Sequence, residues 1–139
     1  MSNQENKDLV QRWFEEGFWA DDIDQTMAAV FAPDYHLTSN GQVYIGPEGV
    51  KALITPVRSA FSEGRFTMEE VIAEGDAVAW HWTFQAKNTG DFLGTPQTGK
   101  SVTITGTGWG RVKNGKFVEA KENWDQLTMM QQLGVIPDA

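Results

Sequence analysis

The chain has 139 residues, enough for one domain with a real core, and sets 19 Asp plus Glu against 11 Lys plus Arg for a formal net charge of -8. That balance removes the electrostatic basis for binding nucleic acid or an anionic membrane surface, and an uncharged or weakly polar small molecule is easier to accommodate. The absence of cysteine excludes disulfides, thiolate metal sites and a Cys nucleophile, and two histidines, His36 and His81, make a poor zinc set.

The first eight residues are polar, without the apolar stretch of a secretion signal, and no apolar run approaches the ~20 residues of a membrane helix. The expectation is a soluble, cytoplasmic protein. Six Trp and eight Phe supply much aromatic surface, which suits a small-molecule cavity or a dimer contact.

Leu9, Val10, Trp13, Phe14 and Phe18 recur at three and four residues and predict an amphipathic helix from about Gln4 to Trp19. Asp21 and Asp22 supply the acidic start of a second, shorter helix that carries Ile23, Met27, Val30 and Phe31 and ends near Pro33. Asp34 to Thr38 reads as a short strand, closed by the turn cluster Ser39-Asn40-Gly41. Gly46-Pro47-Glu48 starts a third helix, with an apolar stripe of Val50, Leu53, Ile54, Val57 and Phe61 and a kink expected at Pro56.

After Gly64 the period changes from about 3.6 to 2. Phe66, Met68 and Ile72 begin one strand, Gly75-Asp76 turns into a second, and there Val78, Trp80, Trp82 and Phe84 share a face that should be buried. Asn88 to Gly99 reads as a loop long enough to be a rim or lid. In the next strand Gly106, Gly108 and Gly110 fall on the Val102 side, which predicts bends or the close approach of another group. Asn114-Gly115 predicts a tight hairpin and antiparallel pairing of the last two strands. Together these make a single domain over residues 1–139, an α+β layer with helices on one face of a bent sheet.

Several stretches resemble the SnoaL-like polyketide cyclases, a branch of the NTF2-like superfamily. They are Glu74-Gly75-Asp76-Ala77-Val78, the segment from Gly90 to Lys100, and Asn114-Gly115-Lys116 leading to Asn123-Trp124-Asp125 and Gln131-Gln132-Leu133-Gly134. The resemblance implies an NTF2-like cone, with N-terminal helices packed on a strongly curved, mostly antiparallel sheet around a pocket, usually in a homodimer. It also implies cofactor-independent acid/base chemistry, an intramolecular aldol-type cyclisation of a small apolar or aromatic carbonyl compound, with no metal. The same fold hosts isomerases, dehydratases and epoxide hydrolases, and a non-catalytic protein that binds a hydrophobic ligand is the alternative from another class.

In the cyclases an aspartate near the end of the last strand is the general acid/base, and Asp125 matches it. Residue chemistry alone leaves two roles for Asp125: an N-cap for the terminal helix, or a pocket acid whose pKa is raised by hydrophobic cover. The chain departs from the family at Asn88 and Thr38, where histidines are frequent, and at His81, where arginine is. The remaining substrate-binding candidates are His81, Asn88, Trp109, Tyr35 and Trp13. Glu119 and Glu122 are expected to face solvent or a partner subunit, and Arg111 an exposed ion pair.

Overall fold

The structure is a computed structural model that describes residues 2–137. Met1, Asp138 and Ala139, part of the expected single domain, lie outside the described residues. Helix α1 spans Asn3–Glu15 and α2 Ile23–Val30, with a 3-10 turn, Gly17–Trp19, between them. Strands β1 (Phe31–Ser39) and β2 (Gln42–Ile45) lead to α3 (Gly46–Ala60). Strands β3 (Phe61–Glu74), β4 (Ala77–Asn88), β5 (Ser101–Lys113) and β6 (Lys116–Trp124) follow, and α4 (Gln126–Gln132) ends the fold.

The helix starts follow from capping chemistry. Ser2 and Glu5 form a reciprocal capping box on α1, and the Asp22 carboxylate accepts from the Gln25 N–H at the head of α2. Helix α1 therefore begins one residue before the expected Gln4 and stops at Glu15. The rest of the expected helix tightens into the 3-10 turn, where the Trp13 ring lies over Gly17 at a distance a Cβ would obstruct.

The six strands form one open sheet in the order β2-β1-β6-β5-β4-β3. Every neighbour pair is antiparallel except β1 with β6. Register shifts in β1, β3 and β6 bend the sheet, because an extra residue on one strand increases local twist. Val78, Trp80, Trp82, Phe84 and Ala86 point to the concave side of β4 and are buried, as their alternation predicts. Helix α1 lies against β3 and β4, where Phe14 meets Phe66 edge-on at 5.2 Å between ring centres and lies 6.1 Å from Trp82. Each such pair is worth about 0.5–1.5 kcal/mol beyond simple burial.

Two expectations are corrected by the structure. Strand β1 runs from Phe31 through Pro33 to Ser39, longer than the expected Asp34 to Thr38, and Gln42–Ile45 adds an unforeseen partner strand. Phe61 is the first residue of β3 and not the last of the helical stripe, and β3 begins well before Phe66. The third helix forms as expected and continues through Pro56. The missing N–H deprives the Ala52 carbonyl of its helical donor, at a place where Ala52 and Pro56 border a cavity. Among the described residues no helix is long and apolar enough to cross a membrane.

Candidate functional site

The concave face of the sheet, α3 and the segment that follows β4 enclose a cavity of about 400 Å³. Its walls are mainly apolar: Phe66, Trp82, Phe84 and Ile104 from the sheet, Leu53 and Val57 from α3, and Phe92 from the loop. Phe92 is buried against Phe61, 5.3 Å between ring centres, and the loop turns sharply behind it through Leu93 and Gly94, both at positive φ. The loop expected as a rim thus contributes part of the wall. Ser39, Asn40, Gln42 and Gln126 add polar groups.

Among the described residues one carboxylate lines this cavity, that of Glu122, and Tyr44 is the other titratable side chain on its wall. In β6, Ala120, Glu122 and Trp124 share the concave face, while Glu119, Lys121 and Asn123 alternate to the convex one. The expectation that Glu122 faces solvent is therefore corrected. Its neighbour across β1 is Ser39, and its neighbour across β5 is Gly108, which in turn pairs with Trp80 on β4. With no side chain at Gly108, the Trp80 indole lies flat across β5 and donates from Nε1 to Glu122 Oε2 at 3.2 Å. Gly106 gives the same passage to the Trp82 ring, so the glycine row marks a close approach of side chains, one of the two roles its pattern predicts.

Burial, the larger effect, pushes the Glu122 carboxyl up to about 7, against smaller stabilisation of its charged form by the Trp80 and Trp82 N–H groups. The Trp82 Nε1 is close enough to favour that charge without reaching hydrogen-bond geometry, and it has no other acceptor. Glu122 as a residue keeps part of its surface exposed, as befits a cavity wall, while its carboxyl is enclosed deeply enough for desolvation to dominate.

The end of β6 is fixed by the turn between β1 and β2. Asn40, at φ 47°, accepts from the Trp124 N–H at 2.8 Å and donates to the Trp124 carbonyl at 3.0 Å, and its own N–H donates to the Glu122 carbonyl at 3.0 Å. The turn cluster read from Ser39-Asn40-Gly41 is thus a brace for the segment that carries the acid.

The six residues singled out from the sequence lie elsewhere. Asp125 caps α4: its carboxylate accepts from the Thr128 hydroxyl at 2.6 Å and the Thr128 N–H at 3.0 Å, and it is exposed. Those two bonds, the hydroxyl first, hold the Asp125 carboxyl below its usual range. The raised pKa expected of it under hydrophobic cover is corrected: of the two readings, its geometry is that of the cap. His81 and Trp109 stand on the convex face, where Trp109 stacks under the Arg111 guanidinium at 4.9 Å. Arg111 also pairs with Asp76 at 2.7 Å and Glu119 at 3.2 Å, the structural ion pair expected of it.

Asn88 is buried, and its side chain is consumed by the fold. It donates to the Ala60 and Gly90 carbonyls at 3.1 and 2.9 Å, and accepts from the Thr98 N–H and hydroxyl at 2.8 and 3.0 Å. Tyr35 is core, stacked on Phe31 at 4.7 Å; burial first and the nearby Glu122 charge second raise its phenol well above the ordinary range, so it stays neutral. Trp13 packs edge-on against Phe31 at 4.8 Å and borders a separate groove between α1 and α2.

Among proteins of curated function none matches the chain. Solved structures do. A protein of Jannaschia sp. CCS1 described as a SnoaL-like polyketide cyclase superposes with a TM-score of 0.86 at 22% identity, over 97% of this chain and 95% of the other. AclR of Streptomyces galilaeus, described as a hydroxylase, gives 0.82 at 27% identity over 99% and 86%. A protein of Catenulispora acidiphila with a ketosteroid isomerase-like fold, solved with trimethylamine, gives 0.75 at 13% identity over 93% of each chain. These likenesses show the NTF2-like cone. The family model for the SnoaL-like polyketide cyclases matches residues 8–133, nearly the whole described fold, and the chain belongs to that family.

Proposed function

We propose that the chain is a cofactor-independent enzyme of the polyketide cyclase type, which uses Glu122 as general acid/base on a small, mostly apolar carbonyl compound. The observation that carries this reading is a lone carboxyl pushed up to about 7 on the wall of an apolar cavity. A base with a pKa near the working pH combines adequate strength with the right protonation state. The cavity volume, about 400 Å³, suits a ligand of one to a few rings.

In this reading the Glu122 carboxylate takes a proton from a carbon next to a carbonyl and leaves an enolate. The enolate carbon attacks a second carbonyl of the same molecule, forming one carbon–carbon bond, and the new alkoxide recovers the proton from Glu122. Atoms balance without an external reagent. The apolar walls contribute by excluding water and holding the reacting carbons near contact. Glu122 thus takes the role that the family pattern suggests for Asp125.

A second reading, a protein that binds a hydrophobic ligand without turning it over, is favoured by one observation. Among the described residues no histidine borders the cavity. Isomerase, dehydratase and epoxide hydrolase chemistry share the same acid/base requirement, and AclR is described as a hydroxylase, so the fold alone does not choose the reaction. We include a homodimer in the proposal, with the exposed, uncharged row Thr103, Thr105 and Thr107 on the convex face of β5 as its contact.

The experiment uses 1-tetralone, a bicyclic ketone with exchangeable protons beside its carbonyl. In deuterated buffer the protein should accelerate loss of those protons, followed by proton NMR. Glu122→Gln should lower the rate by about 100-fold or more. Binding of 1-tetralone, seen as a rise in melting temperature, without any acceleration would favour the binding-protein reading.

A further inference from the structure

We propose that Trp80 and Trp82 are the positioning residues of Glu122, their two indole N–H groups forming a cradle that holds its carboxylate as charge develops there. The proposal rests on the reading of Glu122 as the acid/base group. Two adjacent concave-face tryptophans on β4 each lie over a glycine of β5, Trp80 over Gly108 and Trp82 over Gly106, so both indoles reach past a strand that presents no side chain. Beyond that strand, at the level of Gly108, stands Glu122.

The two donors are not equivalent. Trp80 Nε1 holds Oε2 at 3.2 Å, whereas Trp82 Nε1 is buried beside the same carboxyl with no acceptor in hydrogen-bond geometry. An unpaired buried N–H is costly, and hydrogen bonds to a charged acceptor are roughly twice as strong as neutral ones. A neutral Glu122 leaves the second donor idle, and an ionised one recruits it. The cradle is the carboxylate's main electrostatic support: no lysine or arginine among the ion pairs of the described residues reaches Glu122. Of the elements around it, β1 presents the neutral phenol of Tyr35, β5 presents Gly108, and α3 and α4 present Leu53, Val57, Gln126 and Met129. Tyr44 of β2 is the remaining titratable group on the wall. The indoles therefore set both where the acceptor oxygens point and how strong a base they make.

The test follows the infrared band of the protonated Glu122 carboxyl, identified by its loss in Glu122→Gln, through a pH titration. Trp80→Phe and Trp82→Phe keep an aromatic ring and delete the N–H. Trp80→Phe should move the midpoint up by about one pH unit or more, a tenfold weaker acid, and Trp82→Phe should move it the same way by less. Because either variant could lose its fold, the indole protons of the wild-type protein supply a second readout. With ¹⁵N-labelled tryptophan, the Trp80 and Trp82 N–H resonances should move downfield with the Glu122 midpoint and stay still in Glu122→Gln. Midpoints unchanged or lowered in folded variants, or indole protons indifferent to Glu122, overturn the cradle. Neither readout needs turnover. An intact cradle without ketone exchange would sink the acid/base reading alone, and exchange without these shifts would sink the cradle alone.

Discussion

The Trp80 indole meets the Glu122 carboxylate at 3.2 Å across the width of β5, at the level where that strand carries Gly108. The relationship is non-local in sequence and rests on three strands. It places a charged side chain among aromatic rings by giving one of its oxygens a donor, and the remaining cost of burial appears as a raised pKa.

Gly108→Ala should disturb this arrangement directly, since a Cβ there would overlap the Trp80 indole. The ring has little room to yield, being packed at 6.0 Å from Phe14 and 5.9 Å from Phe117. Urea denaturation should report a loss of about 1–3 kcal/mol, the usual range for an overpacked core.

Glu122 also predicts a particular dependence of stability on pH. Its folded pKa, about 7, lies above the ordinary value of 4.5, so between those values the folded state binds more protons than the unfolded one. Its contribution is complete below about pH 4.5, falls as pH rises toward 7, and is flat above that. The two values set a ceiling of about 3 kcal/mol. Glu122→Gln should therefore unfold at a higher urea concentration than wild type at pH 8, and the gap should close at pH 5. Ketone exchange should run the opposite way, rising through pH 7 as the base ionises.

Asp125→Ala should lower the melting temperature through loss of the α4 cap. The Asp125 carboxyl is held below its usual range, so its contribution is present above the ordinary carboxylate pKa and is lost as pH falls through the lowered value. Melting curves of wild type and variant should accordingly converge in acid.

Asn88→Ala removes four hydrogen bonds from a buried position and leaves the Thr98 N–H without its acceptor. A loss of about 2 kcal/mol or more is expected in urea. The loop bearing Phe92 should loosen with it, detectable as faster amide exchange between Asp91 and Lys100.

If the β5 row is a dimer contact, sedimentation should give twice the mass of one chain, and Thr105→Glu with Thr107→Glu should return it to one. A wild-type protein that sediments as a monomer removes this part of the reading.

Much of the fold is legible along the chain because it follows local rules. Alternation from Val78 to Phe84 fixes the buried face of β4, Asn114-Gly115 fixes the last hairpin with both residues at positive φ, and Asp22 begins α2 as a cap should. The site is less legible because its determinants are pairings between strands. Glu122 shares strand parity with Ala120 and Trp124, a signal present in the sequence, yet an acid in a strand ordinarily points to water. What turns it inward is the glycine row of β5 and the indoles beyond it, which β6 alone does not reveal. Asp125 illustrates the converse. A strand end, a neighbouring tryptophan and a favoured cap residue coincide there, and the side chain satisfies the local demand of Thr128. Asn88, Tyr35 and Trp13 are polar or amphipathic groups that loop closure and core packing absorb, a fate visible only once α1, β1 and β6 pack together and the loop after β4 closes on the end of α3.

The rate of deuterium exchange into 1-tetralone, measured at pH 8 for wild type, Glu122→Gln and Asp125→Asn side by side, tests the central claim most directly. The account predicts acceleration by wild type, near-complete loss in Glu122→Gln, and a rate close to wild type in Asp125→Asn. Retained exchange in Glu122→Gln, or its loss in a folded Asp125→Asn, would contradict the assignment of Glu122 as the acid/base group.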